Sequence, residues 1–174
     1  MTKYGKVAAT LHWVIAILVV TNFILINMAE GLKGPARGAY MMPHFSIGIT
    51  ILLLSLFRLF WRIGHKPPPL PEAIPGWQRS LGRLTHALFY FLIIAVPLTG
   101  WLMVSASPKS SGIEWFGLID ATLPTGKSES IAGFGHDGHE FLTKPLFFLI
   151  LLHVLGALKH QFVDRLPFIQ RIFP

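Results

Sequence analysis

The chain has 174 residues, of which 52% are hydrophobic and 13% charged, with a formal net charge of +7 and no cysteine; its mean hydropathy is +0.56. That balance is too apolar for an ordinary soluble domain of single-domain length, and a cysteine-free chain has no disulfide, iron–sulfur cluster or CxxCH haem attachment. The basic residues sit in the gaps between apolar runs, so the positive charge points to a membrane surface and not to nucleic acid.

Four apolar runs follow one another along the chain, at about 8–28, 41–63, 84–105 and 139–161. Each has roughly the 20 residues that cross about 30 Å of hydrocarbon at 1.5 Å per residue. Lipid offers no partner to an exposed peptide group, so each run is expected to be a helix. The fold class expected is an all-α, four-helix transmembrane bundle forming one domain over 1–174. The first run is too long for a signal-peptide core and no A-x-A pattern follows it, so it counts as a span.

The connections differ in character. Residues 29–40 read as a short Gly/Pro turn. Residues 64–83 contain PPPLP and suggest an extended, partly polyproline II surface segment. Residues 106–138 are long and rich in Gly, Ser and Asp, and GIEWFGLI within them suits the membrane boundary, with Trp115 as the interfacial residue. Trp13, Trp61 and Trp101 read as belt residues, and Pro97 and Pro145 as kinks or starts of helices.

Lys3, Lys6, Arg58, Arg62, Lys66, Arg79, Arg83, Lys159, Arg165 and Arg171 fall at one end of this scheme, whereas Lys33, Arg37, Lys109, Lys127 and Lys144 fall at the other with six of the eight carboxylates. The positive-inside bias then puts both termini in the cytoplasm and 29–40 and 106–138 in the periplasm of a bacterial inner membrane.

That orientation gives the histidines heights. His12 lies near the inner end of span 1 and His44 near the outer end of span 2. His86 opens span 3 on the inner side, His139 opens span 4 on the outer side, and His153 and His160 lie toward its inner exit. His139 and His153 are fourteen residues apart, about 21 Å of helix and within about 40° of four full turns, so they share one face at two depths. His44 can meet His139 in an outer tier and His12 can meet His153 in an inner one. Two tiers of two imidazoles, with no thiolate or carboxylate cluster, suit two bis-histidine haems whose iron these four residues ligate. His86 is an alternative inner ligand in place of His12. Gly48, Gly156 and Ala157 lie one turn from these histidines and leave room for a flat macrocycle. Arg58, fourteen residues after His44, shares its face in the inner tier, where it suits a haem propionate; it also suits simple snorkelling to the surface. Ionisable groups inside a membrane are functional candidates by default. A histidine-using metal or proton transporter is the bland competitor.

The stretches LHWVIAILVV, PHFSIGITILLLSLFRLFWR, THALFYFLIIAVPLTGWLM and HEFLTKPLFFLILLHVLGALKH together resemble the bacterial cytochrome b561 family over essentially the whole chain. The features that carry the resemblance are His12–Trp13, the His44…Arg58…Arg62 spacing, Pro97–Gly100, and His139–Glu140…His153. The resemblance implies a membrane cytochrome with two non-covalent haem b groups, ligated by His12, His44, His139 and His153, that exchanges electrons with ubiquinone. Its superoxide oxidase-like members imply a superoxide:ubiquinone oxidoreductase, with superoxide arriving from the periplasm. Lys33, Arg37, Lys109, Lys127 and Lys144 would then form an attracting funnel for the anion, and His86, His160 and Arg79 a quinone site near the inner haem. The alternative is the cytochrome b anchor of a larger dehydrogenase or hydrogenase, fed by a periplasmic redox protein docked on 106–138.

Overall fold

A computed structural model of the chain describes residues 3–69 and 74–173. Four long helices carry the architecture: α1 (Lys6–Ala29), α2 (Gly34–Gly64), α3 (Gly76–Ala106) and α4 (Glu129–Leu158). All four are long and apolar enough to cross a membrane. Their exposed surface is set with large apolar side chains such as Ile17, Ile24, Phe60, Phe91, Phe148 and Leu152, as a bundle solvated by lipid requires.

The helices outrun the apolar runs that announce them, and here the sequence reading needs correction. Residues 34–40 are not turn but the first turns of α2, with Pro35 in its opening turn. There a proline's missing N–H has no partner to lose and its φ suits the helix. Residues 76–83 belong to α3 rather than to an extended segment; part of the proline stretch, 70–73, lies outside the described residues. Residues 129–138 are helical too, capped by Ser128, which accepts from the Ile131 N–H, with Glu129 in the first turn against the positive end of the dipole. Hydropathy marks the part of a helix that lipid touches, not the part that is helical. Pro43, Pro97 and Pro145 all lie inside helices.

α3 packs along α4, α1 along α2, and α2 along α3, whereas neither α1 nor α2 makes an extended contact with α4. The α3–α4 seam is close because glycine makes it so. A Cβ added at Gly135 would lie 2.6 Å from the Met103 nitrogen and 2.9 Å from the Thr99 oxygen, so the two backbones approach as small residues permit. Midway along the bundle, Leu92, Ile93, Val96 and Leu146 form a buried cluster touched by Phe23 of α1. Ile15, Val19 and Ile51 form a second one, against which Ile150 packs.

The connections at the two ends are built differently. At the outer end, residues 107–128 hold a small antiparallel hairpin, β1 (Glu114–Trp115) and β2 (Ile119–Asp120). At the inner end, α4 widens into a π-helical turn over Lys159–Val163, followed by α5 (Phe168–Ile172). Both termini lie at this end. The Tyr4 N–H donates to the Arg171 carbonyl at 3.0 Å, Trp13 Nε1 to the Ile172 carbonyl at 3.0 Å, and Arg171 Nη2 to the Pro69 carbonyl at 2.9 Å. The last turn of the chain thus clasps the start of α1 to the α2–α3 connection.

Candidate functional site: two tiers of histidine

The outer tier sits where α2 and α4 face each other across a gap. The His44 and His139 rings are 6.3 Å apart, centre to centre, and nearly perpendicular at 83°. Each ring is anchored by its Nδ1–H: His139 donates to the Val96 carbonyl at 2.8 Å and His44 to the Asn22 carbonyl at 3.3 Å. This fixes the tautomer and leaves both Nε2 atoms as bare acceptors, the state a metal-bound imidazole needs. The Val96 carbonyl comes from the turn before Pro97–Gly100, and Gly100 completes the cradle. A Cβ there would stand 2.9 Å from His139 Nδ1 and 3.0 Å from its Cε1.

The inner tier gathers three imidazoles. His12 and His153 are 6.2 Å apart at 77°, and His86 and His153 are 6.0 Å apart at 80°. His86 donates its Nδ1–H to the Gly82 carbonyl at 2.7 Å. His12 instead takes a hydrogen bond on Nδ1 from Arg58 Nη1 at 3.3 Å. The depth argument placed Arg58 in this tier, and it is there. Arg58 and Arg62 both lie over the Tyr90 ring, at 6.0 and 5.5 Å. Arg62, one turn after Arg58, belongs to the His44…Arg58…Arg62 spacing noted in the sequence, whereas Tyr90 was not singled out there.

Two imidazoles sharing one iron should have centres about 6.2 Å apart: roughly 2 Å for each metal–nitrogen bond and about 1.1 Å from each nitrogen to its ring centre. Both tiers meet that separation. The surroundings also leave space. A Cβ on Gly156 would meet nothing within 4 Å, and one on Gly48 only Asn22 Nδ2 at 3.8 Å; neither glycine is demanded by protein packing. Asn22 Oδ1, beside the outer tier, is buried with no partner among the described residues. Among the described residues no three His, Asp or Glu side chains gather closely enough to hold a bare metal ion, so the pairs suit a metal that brings its own equatorial ligands. For the inner tier, His86 and His12 both stand at ligand distance from His153. His86 donates from Nδ1 and keeps Nε2 bare, whereas His12 accepts from Arg58 on Nδ1 and must shift its hydrogen from Nε2 to Nδ1 to bind a metal; α3 packs along α4, whereas α1 makes no extended contact with it.

The remaining candidates scatter. His160 donates to Asp164 at 2.7 Å and stacks on Phe168 with ring centres 4.8 Å apart. Lys159 shares the same carboxylate at 2.7 Å. These contacts, led by the Lys159 hydrogen bond, hold the Asp164 carboxyl below the usual carboxylate range. Arg79 is exposed on the first turn of α3, seven residues before His86 and therefore on its face. The cationic funnel is smaller than its five members suggest. Lys127 Nζ donates to the Ser105 and Ser110 carbonyls, and Lys144 pairs with Glu140 at 2.8 Å. Lys33, Arg37 and Lys109 remain, with Arg37 lining a depression of about 280 Å³ beside Glu30 at the outer end of α1. Trp101 is not a plain belt residue: its Nε1 donates to the Ala121 carbonyl at 2.6 Å and holds the outer connection down.

Comparison with known proteins agrees with this architecture. The family model described as prokaryotic cytochrome b561 matches residues 3–174. "Cytochrome b561 homolog 2" of Escherichia coli (strain K12) is 31% identical over 94% of this chain and 87% of its own length. "Probable superoxide oxidase CybB" of Yersinia pestis is 29% identical over 99% of this chain and 96% of its own. "Cytochrome b562" of Cereibacter sphaeroides is 28% identical over 94% of this chain and 91% of its own. The chain belongs to the prokaryotic cytochrome b561 family: it is a bacterial multi-pass membrane protein of electron transfer, and the family's cofactor is b-type haem.

Proposed function

We propose that the chain is a single-domain, two-haem relay of the bacterial inner membrane, oxidising superoxide at its outer face and reducing ubiquinone at its inner face. The observation that carries this reading is the pair of histidine pairs, 6.3 and 6.2 Å apart, whose α4 members are fourteen residues apart. Haem supplies reversible one-electron chemistry at each tier. His44 and His139 hold the outer group, with their Nδ1–H atoms tied to carbonyls; His12 and His153 hold the inner one. Arg58, bonded to His12, and Arg62, over the same Tyr90 ring, are guanidinium groups that would suit the inner propionates. With His44 and His139 committed to one haem and His12 and His153 to the other, each haem would exchange single electrons with a substrate approaching from its own face of the membrane. Two superoxide anions each give up one electron and leave as dioxygen, and ubiquinone takes the two electrons with two protons. Lys33, Arg37 and Lys109 favour approach of the anion; His86 and His160, whose Nδ1–H groups are held by Gly82 and Asp164, would keep Nε2 for the acceptor and donate to it once protonated. The excess of Lys and Arg at the end holding both termini supports placing that end in the cytoplasm. The superoxide reading draws on the relative from Yersinia pestis.

The test has two stages. Pyridine haemochrome of the purified protein should count two protohaems per chain; His44→Ala and His139→Ala should each remove one and spare the other. His12→Ala should remove the inner haem while His86→Ala keeps it and slows quinone reduction. Loss of haem in His86→Ala with retention in His12→Ala would reassign the inner ligand. Haem reduction by superoxide that no quinone can drain would refute the proposed acceptor.

A further inference from the structure

The outer connection stays close to the bundle. It folds back along α2. Glu114 and Asp120 pair at the base of the hairpin, Trp115 pairs with Ile119, and Phe116, Gly117 and Leu118 make the tip. Two side chains of α2 fasten it: Ser46 Oγ accepts from the Phe116 N–H at 2.9 Å, and Trp115 Nε1 donates to Thr50 Oγ1 at 3.1 Å. Ser46 and Thr50 follow His44 by two and six residues, about 3 and 9 Å further toward the middle of the bundle. Ile113 is buried with Ile49 of α2 and Val104 of α3. The hairpin therefore lies at or below the height of the outer histidine tier, beside a stretch of α2 that is apolar on most sides.

Its outward face is apolar as well. Phe116 is 54% exposed, Leu118 84% and Ile119 55%. Non-helical backbone at membrane depth is tolerated only where protein satisfies it, and much of the hairpin is so served: the Ile113 N–H donates to Thr122 Oγ1, the Phe116 N–H to Ser46 Oγ, the Leu118 N–H to the Trp115 carbonyl, the Ala121 N–H to the Ile113 carbonyl and the Leu123 N–H to Ser105 Oγ. Phe116 has φ 51°, a left-handed conformation that a bulky residue adopts only where its surroundings impose it; the buried Ser46 hydroxyl does so. The polarity along the hairpin is ordered, with two carboxylates at its base and three apolar side chains toward the tip.

We propose that residues 114–120 form a re-entrant wedge, with Phe116, Leu118 and Ile119 inserted among the acyl chains of the outer leaflet. Its partner is lipid, because the tip continues the lipid-facing apolar surface of the bundle at the same depth. The wedge also fills the groove between α2 and α3 on that side.

The chain's lack of cysteine makes the test direct. Leu118→Cys and Lys109→Cys are each labelled with an environment-sensitive fluorophore, and Ile24→Cys on the exposed flank of α1 serves as the lipid reference. Each protein is reconstituted in phosphatidylcholine nanodiscs with and without a doxyl-lipid quencher, and iodide is the aqueous quencher. The Leu118 label should be quenched several-fold more by the doxyl lipid than the Lys109 label, and several-fold less by iodide. Iodide quenching equal to that at Lys109 would overturn the proposal by placing the tip in water. Protection from both quenchers would overturn it in favour of a second copy of the chain covering the tip. An unchanged visible spectrum in all three variants shows that the fold is intact.

Discussion

Replacing Gly100 by alanine should selectively damage the outer tier. The added methyl would stand 2.9 Å from Nδ1 and 3.0 Å from Cε1 of His139, well inside ordinary van der Waals contact. The imidazole must retreat by about half an ångström, and it retreats from the Val96 carbonyl that now holds its Nδ1–H at 2.8 Å. A weakened buried hydrogen bond costs about 1 kcal/mol, and forcing a methyl into a filled site costs about 1–3 kcal/mol. If about 2 kcal/mol of this falls on the ligand geometry, affinity for the outer haem drops roughly 10–100-fold. The assay is haem content and haem retention against a scavenging apoprotein, with Gly133→Ala as control, since a Cβ on Gly133 meets nothing within 4 Å. Gly100→Ala should lose the outer haem preferentially and keep the inner. Unaltered retention of both haems, with an unaltered spectrum, would refute the claim that Gly100 exists to seat His139.

Gly135→Ala sets a methyl against backbone, 2.6 Å from the Met103 nitrogen, so α3 and α4 must part; thermal unfolding in mild detergent should fall by the equivalent of about 2–3 kcal/mol. The imidazole planes stand at 83° and 77° in the two tiers. Were these angles kept when haem is held, low-temperature EPR of the oxidised protein would show strongly anisotropic low-field features; a rhombic three-line spectrum would show that the rings turn coplanar. Asp164, whose carboxyl is held low mainly by Lys159 and also by His160, contributes to the inner-end turn above the usual carboxylate pKa. That contribution is lost as pH falls through its depressed value. Acidification below about pH 4 should therefore lower the thermal midpoint of the wild type more than that of Asp164→Asn; identical acid profiles would refute the pairing.

The four spans were legible because lipid imposes one rule on every residue of a crossing helix, and apolar runs of this length have few other uses. The two tiers were legible from the fourteen-residue spacing of His139 and His153, a number set by helix geometry alone. The ends of the helices were not, because Gly34–Pro35, Gly76 and the polar run before His139 look like loop until the helix they extend is known. Nor was the anchoring of the rings: the carbonyls of Asn22, Gly82 and Val96 belong to the backbone and leave no trace in side-chain identity. Pro97–Gly100 was recognisable as a motif but not as a seat, since only the approach of α4 gives Gly100 its purpose. The three inner candidates, His12, His86 and His153, were legible, but not the hydrogen bonds that set their tautomers. The hairpin is intermediate: Trp115 announced an interface, while the fastening of Phe116 to Ser46 and of Trp115 to Thr50, 70 and 65 residues away, depends on the fold.

α4 contributes a histidine to both tiers, and it follows the other three long helices in the chain. Neither pair can close while those three stand alone. A nascent chain stalled before α4 would display His12, His44 and His86 without their partners, and quality control could recognise that unfinished state.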